Sequence, residues 1–282
     1  IVNNIYSGKF TYAFKDYEFP PGDWILYTKN SMGIPHTGLQ LKCIEFAQIE
    51  NNSIKALFDV CDLTTGGKWT PIIAGYLAHS YKKDKYDNCT LRPEYYYTKL
   101  ISKGTLTNCF KFRHVDPNKE LYFPDDPESN EFAAAKKYIK DRNLNLPKTM
   151  IGSMHTFYAI SVKDKLVEIS YFIDPEFFGA PKTKNGDETM SEYHRNNIDN
   201  FPIKKEFMNE WLIKRIKFHK EFEKKMKAKK HQMIDFGVHN NLGNTQSNNS
   251  SISTQLENLN DLYKSGALTK EEFEKAKKKI LD

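Results

Sequence analysis

Polar and apolar side chains alternate from the N-terminus to about residue 62, broken by turn-forming clusters, and a period of two marks strands half-buried in a sheet. Phe19-Pro20-Pro21-Gly22 reads as a turn ahead of a strand over Asp23-Trp24-Ile25-Leu26-Tyr27. Leu39 to Ile49 and Ile54 to Asp62 read as two further strands folded about Asn51-Asn52. From Leu63 to Pro93 the pattern is irregular. Strands return over Tyr95 to Ile101 and Leu106 to Phe112, turning at Lys103-Gly104, and over Met154 to Val162 and Leu166 to Ile173, turning at Lys163-Asp164-Lys165. After the loop Pro124 to Asn130, Glu131 to Arg142 carries Phe132, Ala135 and Ile139 at helical spacing.

Beyond the Asp174-Pro175 break the period lengthens. Pro202 suits the first turn of a helix, and Met208, Trp211/Leu212, Arg215/Ile216, His219, Phe222 and Met226 continue at three- and four-residue steps. Gly237 to Ser253 is Asn, Ser and Gly with almost no apolar side chain, the composition of a flexible linker. After it, Thr254-Gln255-Leu256-Glu257 is a capping box; Leu256, Leu259, Leu262 and Tyr263 line one face; and Gly266 ends the helix. Thr269-Lys270-Glu271-Glu272 opens a second helix with Phe273, Ala276, Ile280 and Leu281 on its apolar stripe. The expected fold is α+β: residues 1–235 a mainly antiparallel sheet domain ending in a long amphipathic helix, 236–253 a flexible linker, 254–282 a separate two-helix hairpin.

Composition supports a real core and no membrane span. Of the 282 residues 39% are hydrophobic, but no apolar run approaches the roughly 18 to 20 residues of a transmembrane helix. The net charge of +6 comes mostly from Lys: only Arg92, Arg113, Arg142, Arg195 and Arg215 carry the guanidinium fork that specific phosphate and base recognition favours, so nucleic acid is not expected as a partner. The excess sits between Lys204 and Lys230, where eleven basic residues face four acidic ones. Lys224, Lys225, Lys227, Lys229 and Lys230 could touch anionic lipid, but the plainer reading is preferred: Glu206 and Glu210 in the first turns and Lys at the end suit the dipole of any soluble helix.

Four cysteines, Cys43, Cys61, Cys89 and Cys109, contain no Cys-x-x-Cys pair, which argues against zinc ribbons and thioredoxin chemistry. A three-residue loop centred on Asn52 sets Cys43 opposite Cys61, where a cross-strand bridge is sterically plausible; Cys89 and Cys109 then pair by elimination. Disulfides imply a periplasmic or secreted protein, and four buried free thiols in a cytosolic core are the alternative. The chain begins at Ile1, which suits a processed precursor or a trimmed one alike, and a removed signal peptide would leave no trace.

The run Leu256-x-x-Leu259-x-x-Leu262, Gly266-x-Leu268-Thr269-x-x-Glu272-Phe273 and Lys277-x-x-Ile280-Leu281 resembles the SHOCT (short C-terminal) family over roughly residues 254–282. The resemblance implies an appended module for self-association or for docking a protein partner through Leu256, Leu259, Leu262, Tyr263, Leu268, Phe273, Ile280 and Leu281. The alternative is a hairpin folded back onto its own domain. Its six basic and six acidic residues cancel, which also disfavours nucleic acid. The larger part, through Phe19-Pro20-x-Gly22-x-Trp24, Cys89 with Cys109-Phe110-x-x-x-His114, Leu146-Pro147 and Asp174-Pro175-Glu176, is diffusely similar to uncharacterised exported bacterial proteins. That likeness implies a compartment and no catalyst.

A search for chemistry yields little. Gly66-Gly67-Lys68-Trp69-Thr70 lacks the spacing of a phosphate loop, no His-x-x-x-His or Gly-x-Ser-x-Gly occurs, and no cofactor or metal is expected. His114 and His155 lie beside strands where an imidazole could enter a pocket, though a buried, hydrogen-bonded histidine has the same signature. Tyr95-Tyr96-Tyr97 with Trp24 and Trp69 could line a groove, or simply pack. The sequence therefore points to a non-enzymatic exported protein with a docking hairpin; the rivals are a small-molecule-binding or hydrolytic β domain that the hairpin only dimerises, and a peripheral membrane-surface protein.

Overall fold

The alternating stretches become strands. In the computed structural model these are β1 (Ile5–Tyr6), β2 (Lys9–Tyr12), β3 (Lys15–Glu18), β4 (Trp24–Ile34), β5 (Leu39–Glu50), β6 (Ser53–Leu63), β7 (Tyr95–Lys103), β8 (Leu106–Val115), β9 (Met150–Ala159) and β10 (Lys165–Ile173). The helix α1 (Pro202–Lys227), the short strand β11 (Ile234–Asp235) and the helix α2 (Lys270–Leu281) follow. The structure describes residues 3–13, 15–34, 39–63, 89, 95–103, 106–120, 137–159, 165–187, 189–228, 233–235, 256, 259–260, 263–264 and 268–281. The Gly66 to Thr70 run, Trp69, Lys229, Lys230 and the expected linker lie outside them.

Eight strands form one antiparallel sheet in the order β1-β4-β5-β6-β10-β9-β8-β7, and β11-β3-β2 form a second, with β11 parallel to β3. The β5–β6 hairpin differs instructively from expectation. Asn51 and Asn52 both adopt positive φ, 49° and 59°, the signature of a two-residue turn whose twist matches that of the strands. Glu50 then faces Ser53, and a register shift between Gln48 and Ile49 brings Gln48 opposite Ala56 and Cys43 opposite Cys61. A tighter turn plus a bulge thus gives the register expected of a three-residue loop. β9 begins at Met150, earlier than the expected Met154, because Met150, Ile151 and Gly152 are buried on both faces and show no alternation. Of the expected helix over Glu131 to Arg142, residues 137–141 are helical and 131–136 lie outside the described residues.

Register fixes which residues share a face. Ile169, His155 and Phe110 are neighbours across β10, β9 and β8, as are Tyr171, Ser153 and Phe112. Onto this face α1 lays its apolar stripe: Met208, Trp211, Leu212, Ile216, Phe222 and Met226 are all buried, each contributing about 1.5–3 kcal/mol by area burial. Trp211 lies 6.0 Å from Tyr171, and Phe222 lies 6.4 Å from Phe157, centroid to centroid. Pro202 opens the helix as expected; Lys224, Lys225 and Lys227 hold its last turn, but its first turn carries no acid, since Glu206 and Glu210 lie further on.

The small sheet closes the same core. Phe10 stacks on Tyr17 and Phe19 at 5.1 and 4.2 Å, and a buried Lys15–Asp62 ion pair ties β3 to β6. On the opposite face of the large sheet, Tyr138, Ile139, Leu144 and Leu146 cover one end by packing on Tyr27, Ala47, Ile54, Val115 and Met150. Trp24 is fully buried, its indole N–H donating to the Pro20 carbonyl at 2.8 Å, and Tyr95, Tyr96 and Tyr97 are buried as well. Trp24 and these tyrosines are packing residues, and none of the four lines an open groove.

Candidate functional site

At the C-terminal segment, helical stripes meet the body of the chain. Leu256, Leu259, Asn260, Tyr263 and Lys264 are helical, and α2 follows. Leu259 and Leu268 retain only 6% and 9% of their surface and belong to the same apolar cluster as Trp211, Phe222 and Ile234. Phe273 and Ala276 pack against that cluster while remaining half-buried. The Tyr263 ring stacks on Phe273 at 4.8 Å, joining the two helical stretches. Tyr263 and Leu281 stay exposed, at 37% and 55%, and Leu256 is half-buried. Leu262 and the side chain of Ile280 lie outside the described residues. The eight expected interaction residues therefore divide: some face the body of their own chain and some face solvent.

Both cysteine pairs are disulfides. Cys43–Cys61 bridges directly opposed residues of β5 and β6, and Cys89–Cys109 pins the segment before β7 to β8, with Cα separations of 4.0 and 5.9 Å. No free cysteine remains, so no thiol nucleophile is available.

His155 and His114 are both fully buried. His155, on β9, places Nδ1 3.0 Å from Nδ1 of His219 on α1 and Nε2 2.8 Å from the Ser153 hydroxyl. One Nδ1 must donate and the other accept, so at least one ring of the pair is neutral. Phe110 stacks on both rings, at 4.8 and 5.1 Å. Burial first, then His219 and the Arg215 guanidinium, hold the His155 pKa well below its usual value. Burial and, less so, Lys99 lower that of His219 to about 3. Arg215 is itself buried against the rings of Tyr171, Trp211 and Phe218 at 5.3, 5.3 and 5.5 Å, and burial lowers its pKa only to about 10, leaving it charged at neutral pH. Two neutral imidazoles beside a fixed cation, sealed by aromatics, form a structural knot beyond a substrate's reach. His114 meets His194 edge to face at 5.7 Å, and His194 Nδ1 accepts the Asn196 N–H.

A polar band on the other face of the sheet carries no motif that marks it in the sequence. Glu45 stands opposite Asp59, Asp59 opposite Ser170, and Glu168 opposite both Cys61 and Thr156. Tyr27 donates to Glu45 at 2.6 Å, Asn30 donates to the same carboxylate, and Thr156 donates to Glu168 at 3.1 Å. Burial, then the negative charges of Glu45 and Glu168, raise the Asp59 carboxyl well above the usual range. The charged form of Asp59 is thus disfavoured between two carboxylates, while its hydrogen bonds with Ser170 act the other way. The same register that pairs Cys43 with Cys61 pairs Glu45 with Asp59, so the hairpin's spacing is the one signal that could have found half of this band. Among the described residues no group of His, Cys, Asp and Glu is arranged to hold a metal, and no helix is long and apolar enough to cross a membrane.

No curated protein and no solved structure matches the chain, so the diffuse likeness of its larger part to exported bacterial proteins finds no confirmation. Residues 254–281 match the family model of the short C-terminal domain, and the end of this chain is thereby identified as a SHOCT domain.

Proposed function

We propose that the protein is a non-enzymatic, exported protein whose SHOCT domain, a two-helix hairpin joined to a β domain by a linker over residues 236–253, docks a protein partner or a second copy. The observation that carries this reading is the division of the hairpin's apolar stripe: Leu259 and Leu268 are covered, while Tyr263 and Leu281 stay partly exposed. About 28 residues cannot bury enough apolar area to stand alone, so such a module needs a surface to complete it. The paired cysteines support an oxidising compartment, periplasmic or extracellular. Light scattering at near-millimolar protein tests assembly: truncation after Asn249 should lower the mass while the β domain keeps its circular dichroism, and an unchanged mass counts against the reading.

The polar band favours a second reading, a small-molecule site on the β domain that the hairpin only dimerises. Glu45, Asp59 and Glu168 would recognise a polar ligand rich in donors. Thermal-shift titration with sugars and organic amines tests it, and a panel that leaves both the wild type and the Asp59→Asn variant unshifted sinks it.

A further inference from the structure

The seating of the C-terminal segment on the chain deepens the docking reading and rests on it. Leu259 and Leu268 do not form a core of their own: they merge with the cluster of Trp211, Phe222, Met226 and Ile234, and Phe273 and Ala276 lie against it. The body's core cluster therefore serves as an apolar seat for the segment's stripe. Among the described residues, no strand of either sheet pairs with the segment, so backbone ladders do not commit it to one body. Two buried leucines with no backbone ladder behind them make a contact firm enough to form and weak enough to reverse.

Reach and charge name the occupant. The residues 236–255 between β11 and the first described helical position span roughly 70 Å when extended. A body of this size has a radius of gyration of roughly 18 Å, so the segment reaches the seat of its own body or of a neighbour. Its acidic and basic residues cancel, whereas the chain as a whole carries +6. An apolar stripe on a neutral module offers nothing to an anionic polymer and suits the apolar cluster that Leu259 and Leu268 join here.

We infer that this seat is a docking site for the SHOCT segment as a separable unit, and that it accepts the segment of a second copy in exchange for its own. The contacts are the same in both arrangements, so only concentration decides between them. A tether of this kind holds its segment at an effective concentration in the millimolar range, so cis docking dominates at about 1 μM and reciprocal exchange rises as the protein approaches millimolar concentrations.

The test cuts the tether after folding. A site-specific protease sequence placed within residues 240–249 of the full chain is cleaved, and the segment, fluorescently labelled in one batch, is followed by size exclusion. The expected result is that the cleaved segment co-elutes with the body and that label moves onto unlabelled bodies when two cleaved batches are mixed. A segment that elutes alone overturns the seat; one that stays bound without transferring label overturns the exchange. Leu268→Asp should weaken retention at least tenfold, whereas Lys278→Ala, at an exposed position outside the apolar stripe, should retain wild-type binding; equal loss in both overturns the assigned face. Truncation lowering the mass while the cut segment binds no body would leave the docking function standing and remove the seat. An unchanged mass with label transfer would do the reverse.

Discussion

The buried imidazole pair makes the protein's stability depend on pH with a sign that the structure fixes. In the unfolded chain His155 and His219 take up protons near pH 6.5. In the folded chain burial keeps His155 neutral far below that, and His219 neutral down to about 3. The unfolded state therefore binds more protons across this window, and stability falls as pH falls through it. Each histidine contributes a slope of about 1.4 kcal/mol per pH unit, so His219 alone removes close to 5 kcal/mol by the bottom of its window, a large share of the roughly 5–15 kcal/mol of a typical domain. Buried carboxyls oppose it. Asp59, Asp62 and Asp174 have raised folded values, first through burial, and so favour the folded state increasingly as pH drops toward the carboxylate range.

The clean measurement is thus a difference. In the double variant His155→Leu/His219→Leu both members of the N–H···N contact are replaced together among Phe110, Phe218 and Phe222, and the cost of the Ser153 hydroxyl losing its His155 partner is the same at every pH. Urea unfolding at pH 7, 6, 5 and 4 with disulfides intact should show wild type losing stability relative to the variant by roughly 1.4–2.7 kcal/mol per pH unit below 6. Parallel curves for the two proteins would refute the claim that these rings are held neutral.

Other perturbations follow from particular contacts. A Cβ on Gly152 would lie 2.0 Å from the Phe172 ring, so Gly152→Ala should cost about 1–3 kcal/mol by thermal melting, and adding Phe172→Ala should recover part of it. Lys204 pairs with Glu192 in the core and donates to the Lys182 carbonyl at 2.8 Å; Lys204→Met strands the carboxylate and should cost about 3–5 kcal/mol, whereas Lys204→Met/Glu192→Leu should cost less. Thiol titration of denatured, unreduced protein should find no free thiol, and replacing Cys89 and Cys109 with Ser should lower stability by about 2–4 kcal/mol in chemical denaturation.

These contacts separate what a sequence carries locally from what it does not. The stripe from Met208 to Met226 repeats at helical spacing, so its burial is legible in the spacing alone, and the Cys43–Cys61 register follows from one hairpin whose strands are consecutive. Glu168 enters the polar band only through the pairing of β10 with β6, strands far apart in the chain, and a period of two says nothing about which strand lies next. The His155–His219 contact is hidden for the same reason: each ring occupies a buried position of its own element, and only the docking of α1 on β9 brings their nitrogens together. The SHOCT segment is the sharpest case. Its amphipathic spacing requires that Leu259 and Leu268 be covered, but a stripe covered by its own body and one covered by another molecule have identical periodicity. What distinguishes them is the surface that covers the stripe, and the core cluster that Leu259 and Leu268 join is assembled from elements scattered across the chain, from β3 to β11. Recognition of a module by its pattern therefore identifies the half of an interface that is contiguous in sequence, and the other half becomes visible only when the fold has gathered it.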